Sequence, residues 1–256
     1  MKKYQAYLID LDGTMYRGKE KIPAAKRLID RLQAAEIPFL FVTNNSTQTP
    51  DKVVQNLADN FDIHVTTANI FTSALATADY LADLDPTKRT VYPIGEIGLK
   101  QALSGRDFVV DEEQPDYVVV GLDYDVTYHK FELATLAIKR GAQFIGTNAD
   151  TNLPNERGLV PGAGSLIALV ERATQQKATY IGKPETIIME KALAQLGLPK
   201  SEVAMVGDNY LTDIQAGLNF GMDTILVYTG VATKDFVAQQ ERQPTYQIDS
   251  LDEWEV

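Results

Sequence analysis

The chain has 256 residues, a formal net charge of -11 and 45% hydrophobic residues, which is enough apolar material for a sizeable core and argues against disorder. The acidic balance disfavours nucleic acid and anionic membranes as partners, because both demand a basic face. With no cysteine, disulfides, thiolate metal sites and cysteine nucleophiles are excluded together. No run approaches the ~18 to 20 apolar residues of a membrane span, and the apolar stretch after Met1-Lys2-Lys3 meets Asp10 and Asp12 too soon for a secretory leader. The expectation is a cytoplasmic protein.

The residues Ala6 to Ile9 predict a strand that ends abruptly in Asp10-Leu11-Asp12-Gly13-Thr14. By itself this stretch reads either as a buried strand with an Asp-Gly turn or as two carboxylates at the carboxyl end of a sheet strand, where open α/β sheets keep their ligands. Close carboxylates repel, so either one stays protonated or a hard divalent cation accepts them both. Pro23, Ala25, Leu28, Ile29 and Leu32 then mark an amphipathic helix. After Pro38 a short strand, Phe39 to Val42, stops at Thr43-Asn44-Asn45-Ser46. Residues 50 to 60 predict a helix, His64 to Thr66 a short strand, and Thr72 to Ala82 an alanine-rich helix.

From Asp83 the texture changes, with Asp85-Pro86-Thr87-Lys88 as a linker-like stretch. Strands are expected at Thr90 to Ile94, Tyr117 to Val120 and Gln143 to Ile145, with helices near 96 to 103, 128 to 140 and 164 to 175. At Thr179 the first rhythm resumes: Thr179-Tyr180-Ile181 run into Gly182-Lys183-Pro184, and a helix through Ile188 and Leu196 follows. Two further strands end in Gly207-Asp208-Asn209 and in Tyr228-Thr229-Gly230, and the acidic stretch from Asp249 to Glu255 is expected to be a solvated face around Trp254. Apolar strands alternating with helices imply a parallel sheet covered on both faces. The expected fold is α/β, a doubly wound Rossmann-like core of residues 1–80 and 179–256 with an inserted α/β cap domain of residues 81–178.

Strands far apart in sequence thus each deliver a polar cluster to the same end of one sheet. Gathered there are Asp10 and Asp12, Thr43 with Asn44 and Asn45, Lys183, and Asp208 with Asp213. Carboxylates beside one lysine and one hydroxyl suit neither a packed core nor a serine triad; they suit Mg²⁺ plus a phosphate. A second acid two residues after a nucleophilic one can protonate the leaving oxygen and later deprotonate water. Weaker matches fail: Gly162-Ala163-Gly164 has Ile167 where a dinucleotide fingerprint needs glycine, and His64 and His129 stand alone.

In this order, Asp10-Leu11-Asp12-Gly13-Thr14, Thr43-Asn44-Asn45, Gly182-Lys183-Pro184 and Gly207-Asp208-Asn209-Tyr210-Leu211-Thr212-Asp213 resemble the four motifs of the haloacid dehalogenase superfamily. The Thr-Asn-Asn variant and an α/β cap between the second and third motifs resemble its p-nitrophenylphosphatase-like, NagD-type branch. The resemblance implies that Asp10 is the nucleophile, forming an aspartyl-phosphate, and Asp12 the general acid and base. It implies that Thr43 and the adjoining Asn44 and Asn45 bind the transferring phosphate, which Lys183 neutralises. Asp10, the backbone carbonyl of Asp12 and Asp208 would hold Mg²⁺, with Asp213 orienting a metal-bound water or Lys183.

What the resemblance implies is a Mg²⁺-dependent phosphatase of small phosphorylated metabolites, among them sugar or acid-sugar phosphates, nucleotides and p-nitrophenyl phosphate. A phosphomutase sharing the intermediate and a non-enzymatic sensor of phosphorylated metabolites are the alternatives. Substrate choice would lie in the cap, with Asp123, Asn148 and Asp150 as candidates, and the cap is also the expected surface for a homo-oligomer.

Overall fold

The computed structural model describes residues 2–155 and 157–256. Two compact units are formed, one by Met1–Thr43, Pro50–Phe71 and Lys183–Val256, the other by Asn44–Thr49 and Thr72–Gly182. The expected boundaries at 81 and 178 therefore fall inside the second unit, which takes in the whole helix Ser73–Leu84 and the strand Thr179–Tyr180.

The first unit begins with β1 (Ala6–Ile9), followed by a small hairpin of β2 (Tyr16–Arg17) and β3 (Glu20–Lys21). The hairpin occupies what the sequence presents as a polar loop. Helix α1 (Pro23–Ala34) starts with proline in its first turn, where the missing N–H costs nothing, and buries Ala25, Leu28, Ile29 and Leu32. β4 (Phe39–Thr43) and α2 (Pro50–Phe61) follow as expected. The expected strand at His64 to Thr66 is absent. Asn69 Oδ1 instead accepts from the Thr66 N–H and hydroxyl, capping a short 3₁₀ turn, and the strand β5 (Ile70–Thr72) forms next to it with all three residues buried. Two β-branched residues are a weaker signal than burial on a core sheet.

The second unit opens with α3 (Ser73–Leu84), whose N-terminus is capped by the Thr72 hydroxyl accepting from the Leu75 N–H. It continues through β6 (Thr90–Ile94), α4 (Ile97–Ser104), β7 (Val109–Val110), β8 (Tyr117–Val120), α5 (Tyr128–Lys139) and β9 (Gln143–Gly146). The antiparallel hairpin β10 (Asn152–Asn155) and β11 (Gly158–Pro161) precedes α6 (Ala163–Thr174) and β12 (Thr179–Tyr180). Sequence reading places Thr179–Tyr180 in the core. The structure pairs it in parallel with β9, as an edge of the five-stranded parallel sheet ordered β12-β9-β8-β6-β7. Two residues are too few to carry a hydrophobic pattern that distinguishes one sheet from another.

Back in the first unit come α7 (Thr186–Leu196), β13 (Val203–Gly207), α8 (Gln215–Phe220), β14 (Asp223–Val227), α9 (Lys234–Ala238) and β15 (Tyr246–Ile248). Its six-stranded parallel sheet has the order β15-β14-β13-β1-β4-β5. The winding direction reverses at β1, which lies between β13 and β4, and the carboxyl end of such a strand is where an open α/β sheet forms its crevice. The chain end corrects one expectation. The acids from Asp249 to Glu255 are exposed, but Trp254 is only 2% exposed, stacks on Tyr4 and donates to the Tyr7 hydroxyl at 3.0 Å. Among the described residues no helix is long and apolar enough to cross a membrane.

Candidate active site

Four polar residues far apart in sequence meet at the carboxyl ends of β1 and β13. Asp10 follows β1 directly, and its N–H donates to the Val206 carbonyl at 2.9 Å, which continues the sheet ladder by one residue. Asp208 follows β13. Asp213 lies in a π-type turn, Tyr210–Ile214, a wide helical turn often associated with function. Lys183 reaches the same place from the start of the segment that leads into α7.

The Lys183 ammonium is 1% exposed. It donates to Asp10 Oδ1 at 2.6 Å, to Asp213 Oδ1 at 2.8 Å and to the Val42 carbonyl at 2.8 Å. Burial alone pulls its pKa down, but the two carboxylates outweigh that and hold the net shift upward, so the group is an ammonium at any ordinary pH. For Asp10 the order is reversed. Burial and the charge on Asp213 push its carboxyl well above the usual range, and Lys183 opposes them. Burial and Asp213 likewise push Asp208 up to about 6, against hydrogen bonds from Val231 and Thr14.

Asp208 is held from two sides. The Thr14 hydroxyl donates to its Oδ1 at 3.0 Å and the Val231 N–H to its Oδ2 at 2.8 Å. The loop carrying Val231 is tied back to the first motif, since the Thr229 hydroxyl donates to the Gly13 carbonyl at 2.7 Å. Two glycines make the approach feasible: a Cβ would fall 2.3 Å from Asp208 Oδ2 at Gly13, which also has φ +98°, and 1.9 Å from it at Gly230. Asp213 accepts from the Asn209 N–H on its other oxygen at 3.0 Å. Sequence reading missed the parts played by Thr14 and by Thr229 to Val231. The available signal was a further strand, β14, ending in a hydroxyl and a glycine.

Carboxylate oxygens of Asp10, Asp208 and Asp213 lie within 4.8 Å of one another. Three buried carboxylates against one ammonium leave uncompensated negative charge in a dry interior, and an all-oxygen donor set fits a hard divalent cation. The residues present therefore fit a metal site. Asp213 belongs to this cluster although it also holds Lys183.

The other sequence candidates are placed as follows. Asp12 is exposed, two residues beyond Asp10, and its Oδ1 accepts from the Gly18 N–H at 3.3 Å. Thr43 ends β4 and is 8% exposed. The Asn45 side chain accepts from the N–H and hydroxyl of Thr47, forming a turn. The Asn44 side chain donates to Asp150, and Asn148 donates to the Asn44 carbonyl. Asp123 is buried at 5% exposure, with Lys130 Nζ at 2.8 Å.

Two family profiles match the chain, haloacid dehalogenase-like hydrolase over residues 7–109 and HAD-hydrolase-like over residues 180–254. The 5'-nucleotidase YutF of Bacillus subtilis is 49% identical over 254 residues, covering 99% of this chain and 98% of that protein. The acid sugar phosphatase of Staphylococcus epidermidis is 52% identical over 252 residues, covering 98% and 96%. Among solved structures, a double mutant of the thermostable NPPase of Geobacillus stearothermophilus superposes with a TM-score of 0.93 at 52% identity, covering 100% of this chain and 99% of the other. Likeness along the full length, joined to a buried lysine among carboxylates at the sheet's reversal point, establishes that the chain belongs to the haloacid dehalogenase-like hydrolases, in their p-nitrophenylphosphatase and acid sugar phosphatase branch, and that it is a phosphatase.

Proposed function

We propose that the chain is a Mg²⁺-dependent phosphomonoesterase that transfers the phosphoryl group of small phosphorylated metabolites to Asp10 and then to water. The observation that carries this reading is the buried Lys183 ammonium bridging Asp10 and Asp213. A cation fixed beside a carboxylate opposes burial by favouring its ionised, nucleophilic form, and meets the negative charge of an incoming phosphate. Mg²⁺, held by Asp10, Asp208 and the Asp12 carbonyl with Asp213 in support, would neutralise charge on the equatorial phosphate oxygens.

In the first half-reaction an Asp10 oxygen attacks phosphorus, the ester P–O bond breaks, and Asp12 gives its proton to the departing alkoxide. In the second half, Asp12 takes a proton from water, the water oxygen attacks phosphorus, and the Asp10–phosphate bond breaks to release inorganic phosphate. Asp12 is exposed and not bound to Lys183, which suits a proton carrier, whereas Asp10 is 8% exposed and fixed. Thr43, with the main chain of Asn44 and Asn45, would contact the phosphate.

Acid sugar phosphates, 5'-nucleotides and p-nitrophenyl phosphate are the substrate classes to expect, after the names of the relatives. We assign substrate choice to the inserted unit, working as a cap of roughly residues 81–178 and able to pair between copies, in a cytoplasmic enzyme. The test is phosphate release from a panel of these compounds with Mg²⁺ and with EDTA, in wild type and Asp10→Asn. Loss of at least ~10³-fold in the variant is expected for a missing nucleophile. Wild-type turnover by Asp10→Asn, or activity indifferent to EDTA, refutes the mechanism. An isomeric sugar phosphate in place of inorganic phosphate makes the enzyme a mutase.

A further inference from the structure

A hydrogen-bonded knot lies one peptide bond away from two of the proposed catalytic positions. Asn44 follows Thr43, and Gly182 precedes Lys183. The Asn44 carbonyl accepts from Ser73 Oγ at 2.6 Å and from Asn148 Nδ2 at 2.8 Å. Its side-chain amide donates to both oxygens of Asp150, at 3.2 and 3.1 Å. Asp150 is fixed in turn, because its own N–H donates to Asn148 Oδ1 at 3.1 Å. Gly182 packs into the same knot: its N–H donates to the Thr147 carbonyl at 2.9 Å, and a Cβ there would fall 2.6 Å from Asn44 Oδ1 and 2.8 Å from Asn148 Cβ.

Main chain and side chain of Asn44 are therefore both held. The Asn44 side chain and the peptide joining Asn44 to Asn45 cannot rotate without breaking a bond to Asn148, Ser73 or Asp150, which fixes the residue bonded directly to Thr43. A threonine hydroxyl at the end of a strand otherwise has several rotamers and a mobile following peptide, and a displacement of about 1 Å at a phosphate contact is costly. The carboxylate of Asp150 also fixes which way the Asn44 amide faces, with its oxygen toward Gly182 and its nitrogen away. The donors and acceptors of Asn148 and Asp150 described above are directed into this knot.

We propose that Asp150 and Asn148 are positioning residues: through Asn44 and Gly182 they set the Thr43 hydroxyl and the adjoining amides for phosphate, and steady the approach of Lys183. This rests on the reading of Thr43 as a phosphate contact. It moves both residues from choosing the leaving group to organising the part of the site that all substrates share.

Inorganic phosphate separates the two roles, since it has no leaving group. The measurements are its competitive inhibition constant and kcat/KM for p-nitrophenyl phosphate and a sugar phosphate, in Asp150→Ala, Asp150→Asn and Thr43→Val, with the thermal midpoint of each. Positioning predicts that Asp150→Ala weakens phosphate binding about tenfold, the scale of one hydrogen bond to a charged group, and lowers kcat/KM by the same factor for both substrates. Asp150→Asn keeps one acceptor for the Asn44 amide and should recover most of the loss. A KM change confined to one substrate, with phosphate binding unchanged, overturns the proposal in favour of leaving-group selection. Equal losses in Asp150→Ala and Asp150→Asn that track a lowered thermal midpoint overturn it in favour of a structural role. If Thr43→Val weakens phosphate binding and Asp150→Ala does not, only the clamp fails. If Thr43→Val leaves phosphate binding unchanged, the phosphate reading of Thr43 fails and the clamp with it.

Discussion

Lys183→Met removes a charge while keeping an unbranched side chain of similar length. The wild-type ammonium has carboxylate oxygens at 2.6 and 2.8 Å and is 1% exposed. Breaking a buried ion pair from one side costs about 3 to 5 kcal/mol, a large part of the ~5 to 15 kcal/mol that holds a domain folded. The loss must depend on pH. Burial and Asp213 already push Asp10 upward and Lys183 is what opposes them, so without Lys183 the Asp10 carboxyl rises further. Its unfolded counterpart gives up its proton near pH 4. Across the window between these values the folded variant holds more protons than the unfolded chain, and its stability falls as pH rises. In wild type the raised lysine contributes fully below its unfolded value near 10.4, so that contribution is constant between pH 5 and 8. Because Asp10 is raised in wild type as well, both chains lose stability together above about pH 4, and the gap between them widens only over the pH range in which the wild-type carboxyl has ionised and the variant's has not. Urea unfolding in EDTA, followed by the fluorescence of the single tryptophan, Trp254, reports on the first unit directly. A gap that narrows as pH rises refutes the electrostatic account of the site. Activity on p-nitrophenyl phosphate should fall by ~10² to 10³, the scale of a lost charge-stabilising donor.

Because burial and Asp213 raise Asp208 to about 6, protons compete with a cation there. Mg²⁺ should bind more weakly at pH 5.5 than at pH 7.5 and displace protons near pH 6, read by calorimetry in two buffers of different ionisation enthalpy; no proton release would contradict this. Gly230→Ala places a methyl group 1.9 Å from Asp208 Oδ2 and should weaken Mg²⁺ binding about 10- to 100-fold, the range for a disturbed ligand support, in a direct titration of the metal. Trp254→Ala should cost about 3 to 5 kcal/mol by circular dichroism while kcat at low temperature stays near wild type, because Trp254 packs on Tyr4 and Tyr246 and its N–H meets the Tyr7 hydroxyl.

The long elements were legible because their periodicity is strong: α1, α2, α3 and the buried strands β1, β4, β8 and β13 fall where the apolar pattern puts them. Short pieces were not. Strands β2, β3, β7 and β12 have two residues each, and two residues carry no period. The capping of the turn after Thr66 by Asn69 is a local side-chain preference that the β-branched run concealed. In the site, spacing after strands pointed to Asp10, Lys183, Asp208 and Asp213 meeting, and they do. What spacing could not convey was direction. The Asn44 amide faces Asp150, and the Val231 N–H, a backbone group with no residue signature, holds Asp208.

The central place of β1 also bears on how the chain is made. Asp10 is synthesised 173 residues ahead of Lys183, and Thr14 194 residues ahead of Asp208. At a ribosomal pace of ~5 to 20 residues per second, β1 waits roughly 10 to 40 s for these partners. Strands β6 to β12, by contrast, arrive in one continuous stretch and, among the described residues, pair only with one another. The carboxylate cluster and the lysine among it thus come together as a late event on the nascent polypeptide, after the inserted sheet has had time to form.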